Sequence, residues 1–534
     1  MARTAATTAR PAPMNSGDIP PTASRVIGTV SENAATPRSP HPYPVDGPAD
    51  SGAGIMAVAL LLSFMSDNSS SRIADGLRAW VSAAAPGARL PSTRALVAEY
   101  QASPVTVQSA LRSLAAQGLI ESRPGVGTFV RPRAQVRPSD YGWQSAALGP
   151  APGALRPNPA AMRDVPNDVT AFNAGYPDRE LLPGRMVRAA LTRAARSDAA
   201  VARPPVAGLP ELQAWFAQEL GASSLPDVPP PVAADVVILP GSQSGLSSLF
   251  RALVGAGQPL LMESPTYWGA ILAAASAGVR VIPVPSGPDG PDVEELARAF
   301  EETGARAFYA QPSFANPTGA HWTRNLGDQV LDVVRRHGAF LIEDDWAHDF
   351  GITADPAPLA ARDGSGHVVY LRSLTKSLSP AVRVAAVVAR GPARERIVAD
   401  RLAESMYVSG LLQAAAVDVV TQPGWQAHLR GLKSQLKSRR DLLLDSLREH
   451  APAAHVAYVP AGGLNLWARL PDGTAMDRLV RDCEAGGVVI ADGAGWFPAE
   501  ASGPFLRLNY AGPNPAAFPR AARVLGEALG RNGR

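Results

Sequence analysis

The apolar positions of this 534-residue chain fall into two regimes of spacing. Between Ser69 and Val130 they recur three and four residues apart: Ile73, Leu77 and Trp80, then Leu96, Val97 and Tyr100, then Val107, Leu111 and Leu114. That spacing predicts three short helices. Ser92 after Pro91 can cap the second, and Ser103 followed by Pro104 places a cap residue before a proline at the first helical position of the third. Only Gln101 and Ala102 separate those two helices, a helix-turn-helix connection. LIESRPGVGTFV, Leu119 to Val130, then reads as two apolar strands around a turn holding Pro124, Gly125 and Gly127, the pattern of a wing. From Asp168 onward apolar runs of strand length take over: Val236–Leu239, Pro259–Met262, Val279–Val284, Arg306–Gln311, Ala339–Glu343 and His367–Leu371. Segments of helical length such as Val293–Glu302 and Thr323–His337 lie between most of them, which predicts a largely parallel α/β sheet with functional groups at the strand ends.

Composition divides the chain further. A length of 534 residues exceeds one core. Prolines crowd the first 66 residues and the stretch from Arg131 to Pro166, which predicts a disordered N-terminal extension over 1–66, a small module over 67–133, a linker over 134–168 and a large body over 169–534 whose smaller C-terminal part begins at about 410. The run IMAVALLLSFM, Ile55 to Met65, is too short to span a bilayer and too far from the start for an ordinary signal peptide; Met56 and Met65 are alternative starting points for the working protein. No membrane or metal partner is expected. With Cys483 as its single cysteine the chain has no internal disulfide, which fits a reducing cytoplasm. The net charge of +3 is too small for a general polyanion binder, but nine arginines against four acidic residues between Asp67 and Arg137 concentrate positive charge on the small module.

In that module the third helix would present Ser103, Thr106 and Gln108 to base edges and phosphates in a major groove, with Arg94 and Arg123 anchoring the backbone on either side. The stretch LPSTRALVAEYQASPVTVQSALRSLAAQGLIESRPGVGTFV resembles the winged helix-turn-helix of the GntR family of bacterial regulators. It departs from that family where third-helix positions that are often basic are Pro104, Val105 and Gln108, so affinity for duplex DNA is expected to lean on Arg94, Arg112 and the wing.

In the large body the chemistry gathers at strand ends. After Leu239, Gly241, Ser242 and Gln243 open a helix whose amides favour an anionic phosphate. After Met262, Tyr267 can cover a flat heterocycle; after Gln311, Asn316 can bond a ring oxygen; after Glu343, Asp344 can hold a ring nitrogen protonated. The stretch SLTKSLSP then supplies Lys376 between Ser373, Thr375 and, further on, Arg383. Each residue alone also has an ordinary structural role: Tyr267 in a core, Asn316 in a turn, Asp344, Arg383 and Lys376 on a surface. Together they describe a pyridoxal phosphate site, with Lys376 as the amine that condenses with the aldehyde.

The order of these features resembles fold-type I aminotransferases from Phe172 to the end: FNAGYPDRELLP as entry segment, ANPTG as the asparagine motif, SLTKSLSPAVRVA as the lysine and phosphate-arginine motif, and FLRLNYA, whose Arg507 the resemblance makes the binder of a substrate carboxylate. A GntR-like head, a proline-rich linker and such a body together resemble the MocR group of regulators. That resemblance implies a homodimeric, pyridoxal phosphate-dependent transcription regulator that senses a small amino compound, or the cofactor itself, through an aldimine at Lys376; the alternatives are a working aminotransferase and a cofactor-free scaffold. Two departures bear on catalysis. Trp346 stands where the family usually carries a tyrosine, and an indole can only donate at the ring oxygen. ARPPVA replaces a tyrosine-containing turn that reaches a neighbouring subunit's phosphate, with Arg203 as a possible substitute. Both weaken the expectation of fast transamination more than that of cofactor binding.

Overall fold

The computed structural model describes residues 69–132 and 169–532, with isolated positions at 143, 144, 147, 162, 163, 165 and 166. The expected N-terminal extension lies outside the described residues, as does most of the expected linker. The chain divides into two compact units, Met1–Ala147 and Leu148–Arg534.

The first unit holds helices α1 (Ser69–Ala83), α2 (Thr93–Tyr100) and α3 (Pro104–Ala116) followed by an antiparallel pair, β1 (Ile120–Arg123) and β2 (Gly127–Val130). Both expected caps form: Ser92 Oγ accepts from the Ala95 amide and Ser103 Oγ from the Thr106 amide, each at 3.2 Å. Helix α2 ends because Gln101 turns left-handed at φ 49°, which redirects the chain into Ser103 within two residues. Ile73, Leu77, Leu96, Val107, Leu114 and Ile120 close one core. Trp80 departs from the expected stripe: it is 38% exposed and Val81 takes the inward place, because the apolar face of α1 drifts by one residue towards its end. In the wing Gly127 sits at φ +141° with Arg89 so close that an added Cβ would come within 2.8 Å of Nε.

The second unit is built on an eight-stranded sheet. Its strands are β3 (Val236–Leu239), β4 (Pro259–Ser264), β5 (Arg280–Gly287), β6 (Gly290–Pro291), β7 (Ala307–Ala310), β8 (Phe340–Asp345), β9 (Val368–Ser373) and β10 (Ala385–Val388). Their order across the sheet is β3, β10, β9, β8, β7, β4, β5, β6. The pairings from β9 through β8, β7 and β4 to β5 are parallel, as the alternation of strands and helices predicts. Every expected strand is present. The sequence reading missed β10, which runs antiparallel between β3 and β9. All four of its residues are buried, so it has no alternating face to betray it.

Helices cover both sides. Ser242–Leu249 and Trp268–Ala277 pack on one, where Leu246, Leu249, Ala270 and Ala274 meet Val237, Leu260 and Val387. Val293–Thr303 and Arg324–Arg336 pack on the other through Leu296, Phe300, Val330 and Val334. The helix Gly410–Val420 contributes Ala415, Ala416 and Val419 to a sheet-side core with Leu212, Ile238 and Val384. A second core is C-terminal in the main: the helix Pro423–His450 and the antiparallel pair Asn465–Arg469 and Phe505–Asn509 enclose Leu436, Leu466, Leu508 and the buried thiol Cys483, and Phe172, Leu181, Phe314, Trp346 and Phe350 join them from earlier in the chain. Among the described residues no helix is long and apolar enough to cross a membrane.

Leu114 is fully buried at the centre of the small unit. Leu114→Ala is expected to destabilise that unit by about 3 kcal/mol. Urea denaturation should show its transition at lower concentration while that of the large unit stays put.

Candidate functional site

Parallel strands deliver their C-terminal ends to one edge of the sheet, and the candidate residues meet there. Strand β9 ends at Ser373, and three residues later the Lys376 amine lies 4.1 Å from the ring centre of Trp346 and 5.8 Å from that of Tyr267. The cleft is lined by Ser373, Thr375, Lys376 and Arg383 together with Ser242 and Gln243. Tyr267, Asn316, Asp344 and Trp346 line it too. Gly241 precedes the helix at φ 88°, and the Arg383 guanidinium approaches it so closely that a Cβ there would fall 2.8 Å from Nη2.

Burial tunes the two ionisable groups in opposite senses. Burial lowers the Lys376 amine to about 7, with Asp344 drawing it upward and Arg507 pushing it further down. Burial raises the Asp344 carboxyl to about 6, against hydrogen bonds from Gln311 and Tyr309 that favour the ionised form. Asp344 Oδ2 accepts from Tyr309 Oη and from Gln311 Nε2, each at 2.8 Å. Gln311 Oε1 in turn accepts from the Asn316 amide at 2.9 Å, so one side chain fixes both the carboxylate and the asparagine. Tyr267 Oη donates to Gln243 Oε1 at 3.1 Å, and Gln243 Nε2 donates to the Gly269 carbonyl at 2.7 Å, which ties the ring to the helix start.

Two expectations need amending in detail. Trp346 does not offer its N–H to the cleft: Nε1 donates to the Phe314 carbonyl at 3.2 Å, leaving the ring face towards Lys376. Arg507 is buried beside the cleft, near enough to act on Lys376 and Tyr267, and stacked 5.0 Å from Trp496; Nη2 already donates to the carbonyls of Asn173 and Ala174, and burial lowers its guanidinium to about 10. Arg203, expected to reach a neighbouring subunit's phosphate, is exposed and does not line its own chain's cleft. Sequence reasoning also passed over Tyr176, which lines the cleft, over Tyr309 and Gln311, and over Trp496, whose Nε1 donates to Asn316 Oδ1 at 3.3 Å. Polar side chains inside otherwise apolar strand ends were the available signal for Tyr309 and Gln311.

Several groups are left open in a way that fits pyridoxal phosphate. Asp344 Oδ1 is buried without a partner among the described residues, as an acceptor for a ring N–H would be. Thr375 Oγ1 is likewise buried and unpartnered. The helix at Ser242 has no side-chain cap, so its first amides remain available to an anion beside Arg383. A lysine of lowered basicity, a carboxylate facing it and an open anion cradle at the strand ends define a fold-type I pyridoxal phosphate-binding protein.

Comparison with known proteins agrees. Residues 167–525 match the model of aminotransferase class I and II, and residues 69–130 match that of the gntR family of bacterial regulatory proteins. The chain is 30% identical over 368 residues to 2-aminoadipate transaminase of Thermus thermophilus, covering 68% of this chain and 90% of that protein. It is 28% identical over 450 residues to the probable rhizopine catabolism regulatory protein MocR of Rhizobium meliloti, covering 83% and 89%. The structure of LysN, an alpha-aminoadipate aminotransferase from Thermus thermophilus complexed with N-(5'-phosphopyridoxyl)-L-leucine, superposes with a TM-score of 0.64 at 28% identity, covering 70% of this chain and 94% of that one. The chain belongs to the aminotransferase class I and II family, and its added GntR domain gives it the architecture of a MocR-type, pyridoxal phosphate-dependent DNA-binding regulator.

The DNA-reading unit keeps its candidate residues at the surface. Arg94, Ser103, Gln108, Arg112 and Arg123 are exposed and Thr106 is half-buried. Ser103 and Thr106 are bound to each other, their hydroxyls 2.8 Å apart, and Arg112 Nε reaches the Gln108 carbonyl at 3.4 Å. Arg123 folds back on the wing: Nε donates to Glu121 at 2.8 Å and the guanidinium lies 4.9 Å from the Phe129 ring centre.

An amine lowered to about 7 is largely neutral and reactive above that pH. In cofactor-free protein, labelling of Lys376 by an acid anhydride should rise through pH 7 rather than near the ordinary lysine value, as peptide mass spectrometry can follow. Because Asp344 raises the amine, Asp344→Asn should move the midpoint downward; an upward move would contradict the pairing.

Proposed function

We propose that this chain regulates transcription by sensing a small primary amine at Lys376 and altering duplex DNA binding by its winged unit. When bound, pyridoxal phosphate supplies an aldehyde that condenses reversibly with primary amines. Around it, Ser242, Gln243, Ser373, Thr375 and Arg383, with the amides that follow Gly241, hold the phosphate. Asp344 Oδ1 would accept a hydrogen bond from the ring N–H and so keep that nitrogen protonated, Asn316 would bond the ring oxygen, and Tyr267 would cover one ring face. Arg507, with Nη2 on two carbonyls and the rest of its guanidinium against Trp496, receives an effector carboxylate. Arg94, Arg112 and Arg123 meet DNA phosphates while Ser103, Thr106 and Gln108 face base edges.

The observation that carries a sensor over an enzyme is Trp346. Its only proton donor is spent on the Phe314 carbonyl, and the face it turns to Lys376 offers neither acid nor base to a reacting amine. Binding is kept and proton relay is weakened. Differential affinity of the amine for two states of the body then sets how far DNA binding shifts.

A homodimer acting in the cytoplasm completes the reading. Val201 is 87% exposed, Met406 64% and Tyr407 41%, and the loop that follows Val201 packs through Pro204 against Gly410. Exposed apolar groups of this size at one corner suit a contact with a second copy.

Full-length protein loaded with cofactor should select a specific duplex from a random pool. Gel-shift affinity for it should change at least about fivefold with an effective amine, and the response should vanish in Lys376→Ala. Turnover of amino donors with a keto acid should fall far below ordinary enzyme rates of roughly 1–1,000 per second. Turnover in that range with amine-indifferent DNA binding would favour the aminotransferase instead.

A further inference from the structure

A second cavity lies in the large unit, separate from the cleft that holds Lys376. It measures about 430 Å³ and opens between the start of the helix Arg324–Arg336 and the turn Pro356–Leu359. A volume of this order suits a small organic ligand, since such pockets run from roughly 300 to 1,000 Å³. Its walls are mixed: Pro312, Trp322, Pro356, Pro358 and Leu359 supply flat or branched hydrocarbon surface beside the polar Ser223, Ser313, His321 and Thr323. Its charges are of one sign. Arg324 and Arg362 line it and no carboxylate does among the described residues.

The two arginines are not equivalent. Arg362 is committed, bonding to Asp328 and, through Nη1, to the Arg324 carbonyl at 3.2 Å. Arg324 is exposed, and its guanidinium has no hydrogen-bond or ion-pair partner among the described residues. A fixed cation beside a free one, over a proline and indole floor, recognises an anionic head on a flat apolar body.

The turn that forms one wall is itself held rigid. The buried Glu343 carboxylate accepts from the Leu359 and Ala360 amides, each at 2.9 Å. The segment Pro312–Ser313 also lines the cavity, with Ser313 Oγ accepting from the Ala357 amide of that turn at 3.4 Å, and the next residue, Phe314, stacks on His321 with ring centres 4.9 Å apart. The Phe314 carbonyl is the one that receives the Trp346 indole, so this segment is continuous with the residue that faces Lys376.

We propose that this cavity is a second small-molecule site, selective for an aromatic carboxylate and distinct from the lysine cleft. Arg324 supplies the carboxylate contact, and Trp322 and the prolines supply the surface for the ring.

Calorimetric titration of the full-length protein, with its cofactor fixed to Lys376 by borohydride, should test this with benzoate, phenylacetate and indole-3-acetate. At least one should bind saturably to one site per chain. Arg324→Ala should weaken it about tenfold or more, the loss expected for one charge-assisted contact. Arg324→Lys should recover part of that loss, and both variants should keep the parent's thermal melting. Failure of all three anions to bind at millimolar concentration, or equal binding by Arg324→Ala and the parent, would overturn the proposal.

Discussion

An amine and a carboxyl group, both withdrawn from water at the ends of adjacent parallel strands, are the pair on which this molecule's chemistry depends. In water Lys376 would be a cation and Asp344 an anion at neutral pH. Burial brings the amine down to about 7 and the carboxyl up to about 6, so that each lies within reach of the proton balance of the cell. Neither shift would last in a loose site. Tyr309 and Gln311 hold Asp344 from the sheet side, and the same Gln311 holds Asn316. The sheet thus acts less as a scaffold around the site than as its first layer of hydrogen bonds.

Trp346 gives the site its individual character. Relatives of the large unit include a protein named as a transaminase and one named as a regulatory protein, so fold does not choose between the two. The indole does bear on the choice, through a bond it makes away from the cleft. By donating to Phe314 it presents a passive face to Lys376 and anchors itself to a residue held in the left-handed region at φ 56°. Phe314 in turn fills the space beside Gly462, where even a Cβ would lie 2.7 Å from its ring. The lysine's neighbour is therefore packed, through one residue, against the loop that leads into the C-terminal pair of strands.

Much of this was legible in the chain before folding. Helix spacing, two cap residues and a glycine turn gave the winged unit, and six apolar runs gave most of the sheet, because local periodicity records which face is buried. Where both faces are buried that record is blank, and Ala385–Val388 escaped for that reason. The cleft residues were readable because each follows a strand. Their supports were not: Tyr309 and Gln311 sit inside an apolar run, and only the register of β7 beside β8 brings them to Asp344. Spacing also could not tell which way an indole N–H points, or that Arg507 would spend part of its guanidinium on the entry segment.

The central claim is that Lys376, and no other amine, carries the cofactor. Reconstitution with pyridoxal phosphate, borohydride reduction and peptide mapping measures this directly. The account requires one pyridoxyl group per chain, on the peptide containing Lys376. A label spread over other lysines, or a Lys376 peptide recovered unmodified from saturated protein, would contradict it.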